Sequence, residues 1–126
     1  MAHILIIDDD PGVRGVLRAL LERAGHEVSA SEGGAEGLQM AHARRPDLVL
    51  LDIEMPGMNG FDACSLMKTD TLLSSVPVII MTGRPIAGVP ARAQAVGAVD
   101  FLAKPFDRDN LLTKISTHLA GGSAGH

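Results

Sequence analysis

Side chains able to do chemistry follow apolar runs at four places in this sequence. They are an acid pair, a single acid, a threonine and a lysine: Asp8 and Asp9, Asp52, Thr82, and Lys104. The run before Asp52 is four large aliphatic residues, which is typical of a strand buried on both faces. One Asp at a strand end is usually no more than a loop cap, so the interpretation depends on the other positions.

Carboxylates that converge at one edge of a sheet repel each other and raise each other's pKa unless a cation lies between them. Mg²⁺ takes about six oxygen ligands and usually keeps several waters, so two or three carboxylates and a backbone carbonyl suffice. The Lys104 ammonium suits a phosphoryl oxygen, and the Thr82 hydroxyl can bind another. The set predicts in-line phosphoryl transfer to the carboxylate of Asp52.

Five apolar strands alternating with five helices must bring these side chains together. The predicted strands span 3–7, 26–31, 48–52, 76–81 and 98–103, and the predicted helices span 11–24, 35–43, 61–68, 90–96 and 107–119. Asp10 is predicted to be the N-cap of the first helix, with Pro11 in its first turn. This structural role explains the presence of Asp10, so we assign it no chemical role. Alternating elements predict an α/β fold with a parallel sheet and helices on both faces, and ligands bind at the carboxyl ends of such strands.

The composition narrows the class of protein. With 126 residues and 46% apolar content, the chain has the length and composition of a single globular domain. We predict that this domain spans residues 1–120 and that residues 121–126 form a flexible Gly-rich tail. The net charge of −4 argues against a nucleic-acid or membrane-surface partner. The lone Cys64 is interpreted as a small core residue, and the five histidines have no metal-ligand spacing. No run of about 18 apolar residues that could span a bilayer and no signal peptide is evident, so we expect a cytoplasmic location.

The interrupted stretch before the fourth helix is the weakest part of the pattern. Pro85, Gly88 and Pro90 replace good helix formers there. We therefore expect the fourth helix to be short and mobile.

Taken jointly, these motifs resemble the receiver domain of response regulators in two-component signalling, from His3 to about Leu119. The resemblance is carried by the Asp8-Asp9 pair, the Asp52–Gly60 loop, Thr82, and Lys104-Pro105-Phe106. It implies a flavodoxin-like three-layer sandwich with a five-stranded parallel sheet in the order 2-1-3-4-5.

The resemblance also implies roles at the acid site. Asp52 would be the phosphoacceptor, receiving a phosphoryl group from a histidine kinase or a histidine phosphotransfer protein. Asp9, Asp52 and the backbone carbonyl of Glu54 would bind Mg²⁺, with Mn²⁺ as a possible substitute, and Asp8 would hold a metal-bound water. The domain would have no enzymatic activity beyond phosphotransfer and dephosphorylation at Asp52.

Further residues would transmit the change. Thr82 and Lys104 would bind the phosphoryl oxygens, and Phe101 occupies the position of the family's switch aromatic. A downstream protein target would bind the output face, formed by the fourth helix, fifth strand and fifth helix. Glu54 and Arg84 each lie two residues beyond a site residue, and we hypothesise that they pair across the mouth of the site and modulate it.

Two other functions fit parts of the pattern. A metal-dependent phosphatase-type hydrolase also uses a strand-end Asp nucleophile and wants a second acid two residues later, where Glu54 stands. A single domain without a cap segment gives such an enzyme little substrate pocket. The other alternative is a receiver-like module that binds protein and is never phosphorylated, against which the complete acid pair, Thr82 and Lys104 argue.

Overall fold

The computed structural model describes residues 2–83 and 88–123. Five strands and five helices alternate along the chain: β1 (His3–Ile7), α1 (Pro11–Arg23), β2 (Glu27–Ser31), α2 (Gly34–Ala43), β3 (Leu48–Asp52), α3 (Gly60–Thr69), β4 (Val78–Thr82), α4 (Val89–Ala95), β5 (Asp100–Ala103) and α5 (Arg108–Ser123). The strands form one parallel sheet in the order β2-β1-β3-β4-β5. The predicted α/β fold and strand order are confirmed.

The three central strands are buried on both faces. Every residue of β1, β3 and β4 is buried. The core consists of two clusters, one on either face of the sheet. Because successive side chains of a strand point to opposite faces, each of these strands contributes residues to both clusters. The edge strand β2 is only partly buried, as its weaker apolar pattern predicts. The sheet is therefore a rigid layer whose carboxyl ends lie in register.

Local signals fix the ends of the first helix. The Asp10 carboxylate caps α1 by accepting a hydrogen bond of 2.8 Å from the Gly12 amide, and Pro11 occupies the first turn. Gly25 follows the helix with a φ of 93°, a conformation that favours glycine. The predicted cap is confirmed. Asp10 therefore has a structural role, unlike Asp8 and Asp9, which are the candidate site residues.

Cys64 lies on α3 and is completely buried. Burial raises the pKa of its thiol to about 11, so the thiol stays protonated at neutral pH. Its interpretation as a core residue is confirmed.

Three boundaries differ from the sequence prediction by two residues or more. β4 begins at Val78 rather than Val76, because Pro77 has no N–H to donate to the sheet. β5 begins at Asp100, after a turn. α5 continues to Ser123, four residues beyond the predicted end, so residues 121–123 of the predicted tail are helical. The remaining residues, 124–126, lie outside the described part of the chain.

The fourth helix is short, as predicted, with seven residues. The predicted mobility stays a prediction, and Arg84 and Pro85 lie outside the described residues. In the two described ranges, no helix has the length and apolar character needed to cross a membrane.

Gly60, the first residue of α3, lies against the end of β3. A Cβ at this position would collide with the backbone carbonyl oxygen of Asp52 and lie 2.6 Å from the Cα of Ile53. We expect Gly60→Ala to lower the free energy of unfolding by about 1–3 kcal/mol, because backbone must move to admit the methyl group. Urea denaturation measures the change.

Gly15, inside α1, is the matched control. A Cβ there meets nothing within 4 Å, so Gly15→Ala should raise the free energy of unfolding by about 1 kcal/mol through helix propensity. Equal effects of the two substitutions would show that the Gly60 contact is not the constraint.

Candidate functional site

Asp8 is fully buried just beyond β1 and is held through several atoms. Its amide donates to the Ser31 carbonyl at 3.1 Å, and its Oδ1 accepts from the Asp10 amide at 2.9 Å. Its Oδ2 accepts from the Lys104 Nζ at 2.7 Å. Asp9, the next residue, is exposed. The acid pair therefore consists of one fixed, buried carboxylate and one that faces solvent.

Asp52 is the last residue of β3, and its side chain is 3% exposed. Its Oδ1 accepts a hydrogen bond from the Glu54 amide at 3.2 Å and lies 3.4 Å from the Lys104 Nζ. Burial raises the pKa of Asp52 to about 6, and the Asp8 charge adds to this, while the Glu54 amide and Lys104 act in the opposite direction. The positive charge present does not fully compensate the buried acids.

Lys104 lies between the two buried carboxylates at the end of β5. Burial alone would lower the pKa of its ammonium, but the hydrogen bond to Asp8 and the charges of Asp52 and Asp8 outweigh this and raise the pKa. The Lys104 amide also donates to the Thr82 carbonyl at 2.6 Å. Thr82 is fully buried at the end of β4. Four strand ends thus bring all five predicted residues to one edge of the sheet.

The three acids suit a hard divalent cation. One carboxylate oxygen each from Asp8, Asp9 and Asp52 lies within 4.8 Å of the other two. In the described ranges this is the one such group of three or more His, Cys, Asp or Glu residues. Oxygen ligands of this charge are those that Mg²⁺ prefers, and a cation would offset both the burial and the Asp8 charge that raise the pKa of Asp52.

Comparison with protein families agrees with this geometry. The family model described as the response regulator receiver domain matches residues 4–116. The chain belongs to this family. Receiver domains are signalling modules, and this receiver is a phosphoacceptor of two-component signalling.

Individual relatives give the same family. Protein PilH of Pseudomonas aeruginosa is 43% identical over 121 residues, which cover 96% of this chain and all of PilH. The DNA-binding dual master transcriptional regulator RpaA of Synechocystis is 34% identical, over 91% of this chain but only 48% of RpaA. The receiver therefore spans the whole of one relative and about half of another.

Solved structures share the fold. A response regulator of Chloroflexus aurantiacus superposes with a TM-score of 0.91 at 31% identity, covering 94% of this chain and 98% of that one. The chemotaxis response regulator CheY4 of Vibrio cholerae gives a TM-score of 0.88 at 30% identity, with coverages of 94% and 98%.

Phe101, the predicted switch aromatic of this receiver, lies partly buried on β5 beside a charged cluster. The Lys114 Nζ lies over its ring, 5.1 Å from the centroid, and donates to its carbonyl at 2.6 Å and to Asp100 Oδ1 at 3.0 Å. The Nε2 of His118 lies 3.0 Å from Asp100 Oδ2. Burial alone would raise the pKa of Asp100, but the hydrogen bonds from His118, Lys114 and the Phe101 amide lower it.

Sequence reasoning missed this cluster. Its one signal was the four-residue spacing of Lys114 and His118, which places both on the same side of α5. An acid at the start of β5 gave no indication that it would face them.

The predicted modulators are only partly described. Glu54 is exposed on the loop after β3, and a Cβ at Gly83, just beyond β4, would lie 3.8 Å from its Oε1. Glu54 therefore reaches across the mouth of the site toward β4. Its predicted partner Arg84 lies outside the described residues, and their pairing stays a prediction.

The raised pKa of Asp52 predicts a pH-dependent stability. The folded state keeps the Asp52 proton up to about pH 6, whereas the unfolded state releases it near 3.8. The contribution of Asp52 to the free energy of unfolding therefore falls as the pH rises between these two values and is constant above them. Without divalent cations at pH 7, Asp52→Asn should be more stable than wild type by roughly 1–3 kcal/mol, and the difference should vanish near pH 4.

Urea denaturation in EDTA across this pH range measures the difference. Asp109→Asn, which changes an exposed acid in the first turn of α5, is the control. It removes a charge that favours the helix dipole, so at pH 7 it should leave the free energy of unfolding equal or slightly lower, and not raise it. An Asp52→Asn variant less stable than wild type at pH 7 would contradict the raised pKa.

Lys104→Gln tests the charge balance directly. Without the ammonium, the buried carboxylates of Asp8 and Asp52 face each other, so the metal-free protein should lose stability at pH 7. Mg²⁺ should then raise its melting temperature more than it raises that of wild type, because no fixed cation competes for the site. Lys114→Gln removes a lysine elsewhere and should respond to Mg²⁺ as wild type does. A Lys104→Gln response no larger than this control contradicts the assignment.

Proposed function

We propose that Asp52 accepts the phosphoryl group of a phosphohistidine carried by a histidine kinase or a histidine phosphotransfer protein. The observation that carries the proposal is the buried Asp52 carboxylate, which lies 3.4 Å from Lys104 within a triad of acids. Such an arrangement is unfavourable in the resting protein. A bound divalent cation would balance its charge and, together with Lys104, would offer positive charge to the incoming phosphoryl group.

The transfer is a single displacement at phosphorus. An Asp52 carboxylate oxygen forms the new P–O bond while the P–N bond of the phosphohistidine breaks, and the imidazole nitrogen keeps the bonding pair and takes up a proton. The product is an aspartyl phosphate. Attack by water later releases inorganic phosphate and restores the Asp52 carboxylate. The receiver thus acts on its own side chain and has no external substrate to turn over.

Asp9, Asp52 and the Glu54 backbone carbonyl would hold Mg²⁺, or Mn²⁺ in its place, with Asp8 bonded to a metal-bound water. Bound there, the cation supplies electrostatic stabilisation of the charge that develops on the transferring group. The protein's own contribution is to fix the nucleophile at the end of β3, and to direct the Lys104 ammonium and the Thr82 hydroxyl at the phosphoryl oxygens.

The signal leaves through the output face, formed by α4, β5 and α5. New bonds from Thr82 and Lys104 to the phosphoryl group would favour one arrangement of the loops that follow β4 and β5. Phe101 lies on β5 three residues before Lys104 and borders a groove that β5 shares with α4. A downstream protein target would recognise this face, and no nucleic-acid or membrane contact is required. A cytoplasmic location stays a prediction.

The test uses acetyl phosphate as a small phosphodonor, with Mg²⁺. Wild type should gain one labile phosphoryl group, detected by intact-protein mass spectrometry and removed by alkali, and Asp52→Asn should gain none. Asp109→Asn, an equivalent change at an exposed acid outside the site, should be modified like wild type. Omitting Mg²⁺ should reduce the modification strongly.

The same samples separate the alternatives. Modification of Asp52→Asn would overturn the assignment of the acceptor. Rapid turnover of a general phosphate ester by wild type would favour a hydrolase. Absence of modification with acetyl phosphate and with phosphorylated histidine phosphotransfer proteins would favour a module that only binds protein.

A further inference from the structure

The side chain of Arg14, on α1, contacts the backbone of the acid loop, the residues Asp8 to Asp10 that follow β1. Its Nη1 donates to the Asp8 carbonyl oxygen at 2.7 Å. Its Nη2 lies 3.8 Å from Oε1 of Glu32, whose side chain is 79% exposed, whereas the Arg14 side chain is only 19% exposed. The short, sheltered contact is therefore the one to the Asp8 carbonyl.

This carbonyl belongs to the peptide that joins Asp8 to Asp9. The Asp8 side chain is already held by Lys104 and by the Asp10 amide. The carboxylate of Asp9, which is exposed, has its direction set by the orientation of the preceding peptide plane. A guanidinium bonded to that plane restricts its rotation and keeps Asp9 on the same side as Asp52.

We infer that Arg14 is a positioning residue for the divalent-cation site: by holding the Asp8–Asp9 peptide, it keeps the Asp9 carboxylate within reach of an ion bound at Asp52. The inference rests on the proposed function only in assuming that the three acids bind Mg²⁺. It adds a residue on α1, outside the strand ends, to the determinants of metal affinity.

Charge and position make opposite predictions for Arg14. The guanidinium is positive and lies close to the site, so its charge alone disfavours a second cation, and removing it should tighten Mg²⁺ binding. If its hydrogen bond positions Asp9, removing it should weaken binding. Loss of an outer partner of a metal ligand typically lowers metal affinity 10- to 100-fold. The sign of the change therefore separates the two effects.

Arg18 provides a matched control one helical turn further along α1. Its Nη1 also donates to a backbone carbonyl, that of Val28 at 3.1 Å, but this carbonyl lies on β2 and not in the acid loop. Arg18→Met removes the same charge and the same type of contact as Arg14→Met. The difference between the two variants isolates the carbonyl of Asp8.

The experiment titrates the full chain with Mg²⁺ alone and follows backbone amide resonances of the ¹⁵N-labelled protein. We expect Arg14→Met to bind about ten-fold more weakly than wild type. Arg18→Met should bind as wild type does or slightly more tightly. Urea denaturation of both variants shows whether they are folded, since a purely structural role would lower their stability without changing the affinity of the folded protein.

A second measurement needs no metal. In the metal-free protein, the Asp9 amide resonance should shift in Arg14→Met and stay in place in Arg18→Met. Mg²⁺ affinity of Arg14→Met equal to or tighter than that of wild type, or an equal loss in Arg18→Met, would overturn the positioning role. If wild type itself does not bind Mg²⁺, the proposed function fails first, and the Asp9 resonance still reports whether Arg14 holds the peptide.

Discussion

Two buried carboxylates share one lysine in this receiver, and the rest of the site follows from that imbalance. Asp8 and Asp52 are 0% and 2% exposed, and both contact the Lys104 ammonium. Burying acids is unfavourable unless positive charge or hydrogen bonds compensate, and one lysine compensates for only one of them. The resting protein therefore has an excess of buried negative charge at the place where a divalent cation would compensate it and a phosphoryl group would bind.

The sheet makes this excess of charge possible. Because β1, β3 and β4 are buried throughout, the side chains at their carboxyl ends cannot turn away from each other toward solvent without disturbing the core on both faces. Parallel pairing places these ends at a single edge. The core thus enforces a charge arrangement that isolated loops would relax by moving apart.

Sequence reasoning recovered those parts that depend on local pattern and on topology. Apolar runs identified the strands, alternation predicted the parallel sheet, and the position of Asp52 after a buried run placed it at the sheet edge together with Thr82 and Lys104. It could not predict contacts between residues that are distant in sequence when each residue is of a type that can bind many different groups. Arg14 and Asp100 are examples: nothing local indicates that one bonds to the Asp8 carbonyl or that the other faces α5. Boundaries near Pro77 and Leu119 shifted because sheet pairing and helix propagation outweigh local propensity there.

The acids and their counter-ion belong to parts of the sheet with different protection. Asp8 directly follows β1 and Asp52 ends β3, two central strands in which every residue is buried. Lys104 instead follows β5, an edge strand of four residues of which one is buried. Short edge strands open locally at a smaller free energy than the centre of a sheet. A transient opening of β5 therefore withdraws the lysine while both carboxylates stay fixed. The electrostatic potential at the phosphoacceptor site thus depends on the local opening of one edge strand, and hydrogen exchange of the β5 amides measures the free energy of that opening.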